Sequence, residues 1–420
     1  MDKINKIILR NQSATVCALE CYYKLNSNDD AKRVGTTGNF PVAQEGLLDL
    51  NYLGIPDGAL VTAYANVKWG ADSSGDEWFI FSKDWDAEAC FELTGSAFST
   101  DVSLVYVEQC DFDAVIGDMT AYRVDDAVES LKNLPQTGRH EKIKGLRYFS
   151  NLGIEHVQGY TQYEHNGKVY YLFTHHTTGD YGYILQATND SDETLSFMTP
   201  KGWNHPAGIQ CLGQYLFVPC EEGSEARIFV YDILHNMKKV KTLRCSHRAG
   251  CIGVTDFNQG NENYCLLLVG DQQVYYAYIA KKSTSMRDLN FTYFGKIDLG
   301  ANRTDEQDEF FMEEDINCQG FGLVTDKEEN VHMLALMTHG CKDRVFMIKL
   351  NINISERTFS YDTEVSAHLI NKGGIAGDYG SHFRWGAGIR ITPLNNLVVL
   401  ATSRNIIAGT KLDTTSWYKH

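Results

Sequence analysis

Apolar and polar residues alternate with a period of two along most of this chain, in short runs separated by Gly, Asn, Asp and Ser clusters. That period puts successive side chains on opposite faces of a strand. Over residues 1–110 the runs Lys6–Arg10, Thr15–Tyr23, Gly46–Leu53, Ala59–Val67, Trp78–Ser82, Cys90–Leu93 and Ser103–Val107 read as strands. Stretches such as Pro56-Asp-Gly58 and Asp72-Ser-Ser-Gly-Asp76 supply the turns between them. Short strands at this spacing predict an antiparallel β-sandwich. One helical stretch, Asp125–Leu134, follows within a connector spanning 111–151; acidic residues open it, Lys132 closes it and Pro135 stops it.

Beyond the connector a pattern recurs. Five elements, His156-Val-Gln-Gly159, His205-Pro-Ala-Gly208, His247-Arg-Ala-Gly250, Asn317-Cys-Gln-Gly320 and Phe383-Arg-Trp-Gly386, each lead into an alternating strand. Their glycines are 49, 42, 70 and 66 residues apart, which suits four short strands per repeat. A second, more apolar strand follows each: Val169–Thr174, Tyr215–Pro219, Tyr264–Gly270, Val331–Met337 and Leu397–Thr402. Strand quartets repeated in this way predict a five-bladed β-propeller over 152–420, with the glycines on crowded inner strands. The fold class is therefore all-β, a sandwich followed by a propeller. The last repeat is short of strands, so connector residues are expected to complete the fifth blade. A six-bladed ring with one degenerate blade is the alternative, drawn from the two long intervals.

Charge narrows the partners. With 38 Lys+Arg against 54 Asp+Glu the net charge is −16, and residues 1–110 hold 8 basic and 16 acidic residues, half of that excess. Such a field opposes nucleic-acid phosphates and anionic lipid. No secretory h-region opens the chain and no long apolar run follows, so the expectation is a soluble protein, cytoplasmic or exported without a leader. Eleven single cysteines, several inside apolar runs, read as small buried hydrophobes of a reducing compartment.

The strand ending Ala18–Tyr23, then Gly38-Asn-Phe40, Leu47–Leu53, Ile55–Lys68, Glu77–Phe81 and Cys90–Gly95 follow one another in an order that resembles the C-terminal membrane-recognition β-sandwich of the thiol-activated, cholesterol-dependent cytolysins. The family's Trp-rich undecapeptide is replaced here by Val67–Glu77, and its sterol-contacting pair falls on Ala97-Phe98. The resemblance therefore implies a recognition domain without that sterol site. Lacking the pore-forming domains, the chain is not expected to be lytic by itself. Trp69, Trp78 and Phe98 are the candidate contacts of this domain. Residues 152–420, with His-x-Gln-Gly and His-Pro-x-Gly-Ile-Gln elements, resemble an uncharacterised five-bladed propeller family, which implies a fold and no activity.

If the Gly elements open innermost strands, His156, Gln158, His205, Gln210, His247, Asn317, Gln319, His382 and Arg384 converge at one mouth of a central funnel. Glu155, Asp256, Glu313, Glu314, Asp315 and Asp378 are the carboxylates nearest by sequence. Three competing roles follow: histidines that fix blade to blade through backbone bonds, ligand recognition, or catalysis by separated carboxylates. No cofactor is expected; a divalent metal on His156, His205 and His247 is the weaker alternative. Two stretches stand apart, the Gly-dense Gly373–Gly380 and the acidic Asp305–Asp315. The leading expectation is a lectin-like recognition protein for a glycan, a lipid headgroup or a protein. A hydrolase with its site in the funnel and a structural or toxin-associated subunit are the rivals.

Overall fold

The computed structural model describes residues 2–42, 44–83, 85–96, 98–110, 117–144, 155–223, 225–271, 273–299, 320–339, 342–371, 381–404, 406 and 411–419. It is nearly all β, and it divides into two compact units, Met1–Asp113 and Ala114–His420. Most of the connector region, 111–151, falls in the second unit. Among the described residues no helix is long and apolar enough to cross a membrane.

The first unit holds two sheets. One runs Lys3–Ile4, Phe79–Phe81, Leu60–Val67, Cys17–Lys24, Lys32–Val34; the other runs Ser99–Cys110, Asp86–Ser96, Lys6–Asn11, Glu45–Asp49. Alternate residues of each meet in one core: Leu19, Cys21, Val61 and Ala63 face Ile7, Leu9, Ala89 and Phe91. The strand expected over Gly46–Leu53 stops at Asp49, because that carboxylate accepts the Asn51 N–H and caps a tight turn, Leu50–Tyr52. The last two strands run longer than expected and join in a hairpin. Gly95 stands there at φ +98°, where a Cβ would lie 2.1 Å from the Ser99 carbonyl oxygen.

The described strands of the second unit form five antiparallel groups of four, of which the first and fifth are joined into one eight-stranded sheet by a parallel pairing of Gly159 with Ala387. The first is His156–His165, Lys168–His176, Tyr183–Thr188 and Ser191–Met198. The second has a broken leading strand, His205–Pro206 with Gln210–Leu212, then Tyr215–Glu222, Glu225–Asp232 and Lys238–Cys245. The third is Cys251–Gln259, Glu262–Asp271, Val274–Lys281 and Thr292–Asp298; the fourth is Gly320–Thr325, Val331–His339, Lys342–Asn353 and Thr358–Asn371. The fifth is His382–Ile391, Leu397–Thr402 and Lys411–Trp417, and its outer strand is Arg139–Lys144 from the connector region.

Each group is buried on both faces, so its second strand reads as an apolar run rather than an alternation. In Cys265–Val269 the odd positions Cys265, Leu267 and Val269 pack against the second group, through Leu212, Phe217 and Val230. The even positions Leu266 and Leu268 pack against the fourth, through Phe321 and Met333. A core of this kind lies at every junction from the first group to the fifth, and one more, with Phe173 and Leu185 against Leu400 and Leu412, joins the fifth back to the first.

The leading strands come close enough to exclude side chains. A Cβ on Gly388 would sit 2.1 Å from the Tyr160 carbonyl oxygen, and one on Gly322 would sit 2.2 Å from Ile389. Between them a narrow void of about 50 Å³ remains, bordered by Thr161, Gln210 and Thr255 and covered by Asp118–Tyr122. That covering segment is itself bonded across the groups. The Gln214 side-chain oxygen accepts the Asp118 N–H while the Gln214 N–H donates to the Asp118 carbonyl, Asp256 accepts the Ala121 N–H, and Val124 bridges to Asp326. The predicted helix follows as Ala127–Lys132, capped by Asp126 on the Glu129 N–H.

Asp256 is buried and holds Arg123 at 2.7 Å and Lys282 at 2.5 Å. Replacing it with Ala leaves two cations without their shared anion. Asp256→Ala is expected to cost roughly 3–5 kcal/mol in urea unfolding. A loss below about 1 kcal/mol would mean the three charges act as a solvated surface group.

Candidate functional site

His156 and His205, the first residues of the leading strands of the first and second groups, and Trp385, in the leading strand of the fifth, are gathered by one further ring, His176. His156 pairs in register with His176 on the next strand, placing the two rings 5.8 Å apart. His156 also meets the Trp385 indole edge to face at 5.6 Å, and His176 meets His205 at 4.6 Å. Four rings thus run in unbroken contact across three strand groups. The guanidiniums of Arg384 and Arg404 lie 5.3 and 4.9 Å from the Trp385 ring.

Polar groups back this row. The Gln158 amide lies 3.0 Å from His205 Nε2. An amide N–H donates there, so Nε2 is the acceptor and the imidazole proton sits on Nδ1. Nδ1 faces the Glu221 carboxylate at 3.5 Å. Glu221 also accepts the Ala249 N–H at 2.8 Å, which ties the second group to the start of the third. Burial would raise its pKa, but His205 and the Ala249 N–H outweigh that and hold it below the usual carboxylate range. Glu155 behaves alike: burial is outweighed by the Thr178 N–H and hydroxyl, at 3.0 and 2.9 Å, and the carboxyl is held low.

Not every expected residue reaches this mouth. His247 stacks flat on Tyr276, ring centroids 3.7 Å apart. Gln210 is buried and wholly engaged: its amide donates to the Leu323 carbonyl at 2.8 Å while its oxygen accepts the Val254 and Leu323 N–H groups at 3.0 and 2.9 Å. It staples three strand groups together instead of meeting a ligand. His382 also turns inward, buried beside Asp343 at 3.4 Å, and hydrogen bonding to that carboxylate raises its pKa. Asp256 belongs to the ion cluster described above. Asn317, Gln319, Glu313, Glu314, Asp315, Asp378 and the stretches 305–315 and 373–380 lie outside the described residues. Among the described residues no three His, Cys, Asp or Glu are placed to share an ion, so the set His156, His205 and His247 is not assembled as a metal site.

Four members of the mouth escaped the sequence reading: His176, Glu221, Trp385 and Arg404. His176 carried a signal, since in a hairpin the end of the second strand returns beside the start of the first. The adjacent His175 points to the other face and is fully buried, as alternation requires.

In the first unit, Trp69 and Phe98 are 83% and 90% exposed, so they do not fill the core. The Thr100 hydroxyl donates to the Ala71 carbonyl at 2.7 Å, which holds the Phe98 hairpin against the Trp69 loop. Trp78 is half-buried, with the Lys24 ammonium 4.2 Å above its ring.

No known family model and no curated protein matches the chain. Among solved structures it is similar to a GH43 β-xylosidase/α-arabinofuranosidase from a compost microbial metagenome in complex with xylotriose, at 12% identity and a TM-score of 0.35, covering 66% of this chain and 94% of that one. It is similar also to the NanB sialidase of Streptococcus pneumoniae, at 11% identity and 0.32, covering 86% and 66%. A third, the Dos1 propeller, stands at 7% identity and 0.30, covering 99% and 93%. Likeness at this level carries no argument about the site.

Burial pushes the His175 imidazole down to about 4 from the ordinary 6.5. It is neutral when folded, whereas the unfolded chain takes up a proton below about 6.5. The stability that neutral burial allows is therefore complete above that pH and declines as pH falls toward 4, by up to about 3 kcal/mol. Urea unfolding at neutral pH and again near the lower limit should show a smaller acid loss for His175→Gln than for the parent. Equal losses would remove His175 from the account.

Proposed function

We propose that the second unit is a five-bladed β-propeller, the first a β-sandwich, and the whole a carbohydrate-recognition protein whose ligand enters the histidine–tryptophan mouth. The closed succession of five groups, each packed on the next and the fifth on the first, supports the propeller. The two facing sheets with one shared core support the sandwich.

One observation carries the recognition reading. The mouth joins a tryptophan and three imidazoles in a row, with amide, carboxylate and guanidinium groups around them. Flat aromatic faces with a few fixed polar groups suit hydroxyl-bearing rings, which present apolar C–H faces and hydrogen-bonding rims. The carboxylates described there, Glu155 and Glu221, are both held ionised. Glycoside hydrolysis by a carboxylate pair needs one carboxyl kept protonated as the acid. Neither of these two meets that need.

A hydrolase remains the second reading, on one point. Glu221 faces the protonated Nδ1 of His205, the arrangement by which a carboxylate orients a general base. The two readings part in one pair of assays. On a glycan array the recognition reading expects saturable binding that Trp385→Ala weakens roughly thirtyfold, with no release of product from aryl glycosides. Turnover that Glu221→Gln abolishes would establish the hydrolase instead, and an array without any binding would end the recognition reading.

A further inference from the structure

A cleft of the second unit lies away from the histidine mouth and encloses about 740 Å³, within the usual size of small-molecule sites. Its walls are the outer strand Arg139–Lys144, the far ends of the first group's strands, and the turn Thr392–Asn396. Five cations line it: Arg139, Lys142, Lys144, Arg390 and Lys419. Its three carboxylates are each matched already. Glu141 pairs with Arg139 at 3.2 Å, Asp192 with Lys144 at 3.9 Å and Glu164 with Arg390 at 3.4 Å. Lys142 reaches only Asp413, at 3.9 Å, and Lys419 forms no ion pair with the described residues. With Asp413 counted, five cations meet four carboxylates, and this excess of one positive charge, on a chain of net −16, is a local reversal of the molecule's field.

The lining between these charges is neutral and polar, with Gln162, Thr188, Asn189 and Asn396, beside the rings of Tyr171 and Tyr418. Lys142 and Lys144 share one face of their strand, which separates them by about 7 Å. The two ammoniums can hold separate anionic groups, and the lining is made of strands and their turns, without the helix N-terminus that phosphate favours. It suits charges carried on successive units of a chain whose remaining groups are hydroxyls.

We propose that this cleft is a second binding site, for a carboxylate-bearing oligosaccharide. The site is separate from the mouth and does not depend on what the mouth binds.

Titration calorimetry of the full chain with trigalacturonate, and with neutral xylotriose, tests it. Trigalacturonate is expected to bind, to weaken at least about tenfold in the double variant Lys142→Gln with Lys419→Gln, and to weaken further as ionic strength rises from about 0.05 to about 0.5 M. Lys132→Gln, an exposed change on the short helix, is expected to leave binding unchanged, as is Trp385→Ala at the mouth. Thermal unfolding of the double variant at the parent's midpoint confirms that only the charges were removed. No binding at millimolar trigalacturonate, equal affinity for xylotriose, full retention by the double variant, or loss through Trp385→Ala alone would each overturn the proposal.

Discussion

Everything in the second unit depends on closing a cycle. A four-stranded antiparallel group with two apolar faces is insoluble alone, and each face here is covered by the next group. The cover is complete only if the last group also meets the first. The chain achieves this by reserving an outer strand near its beginning: Arg139–Lys144 pairs with Lys411–Trp417 across the whole length of the unit. Before reaching that place, residues 118–132 are bonded in turn to the second, third and fourth groups, through Gln214, Asp256 and Asp326. One segment therefore links four of the five groups. Pairings of such sequence separation form late, because loop-closure entropy is lost before the contacts are gained.

Closure dictates what can stand at the centre. The leading strands approach until Gly159, Gly320, Gly322 and Gly388 have backbone or side-chain atoms where a Cβ would be. Buried polar atoms in so tight a space need internal partners, since an unpaired one costs about 1–3 kcal/mol. Gln210 answers for three backbone groups at once, Thr255 and Thr325 bond each other at 2.8 Å, and Thr161 donates to the Ile389 carbonyl. The crowded middle of the leading strands is thereby committed to structure. Chemistry is left to the ends, where strands begin or finish and side chains again have room.

That division explains what could be read from the residues alone. Period-two alternation and the spaced glycines located most of the strands, because both reflect local burial that a strand imposes on its own sequence. Asp126 and Lys132 marked the helix for the same reason. The mouth was only half legible. Gly159 and Gly208 pointed to His156 and His205, but Glu221 and Trp385 join them by packing between groups, which leaves no trace in spacing. His176 becomes a neighbour of His156 through hairpin register. Asp49 shows the converse: a capping bond to the Asn51 N–H overrode an apolar run that looked like strand.

Histidine recurs in four of the positions at or near the anchor glycines, and the four meet three different fates. His156 and His205 share the ring row, His247 lies flat on Tyr276, and His382 is buried against Asp343. A repeat preserves where the backbone goes, since that is what closure constrains. It does not preserve what each side chain meets, because the partner is supplied by a neighbouring group with a different sequence. Tyr276 offers a flat face and Asp343 a buried charge, while His176 offers only another ring edge. Asymmetry of partners, imposed on a symmetric backbone, is what collects His156, His176, His205 and Trp385 on one side of the mouth and gives that side its chemistry.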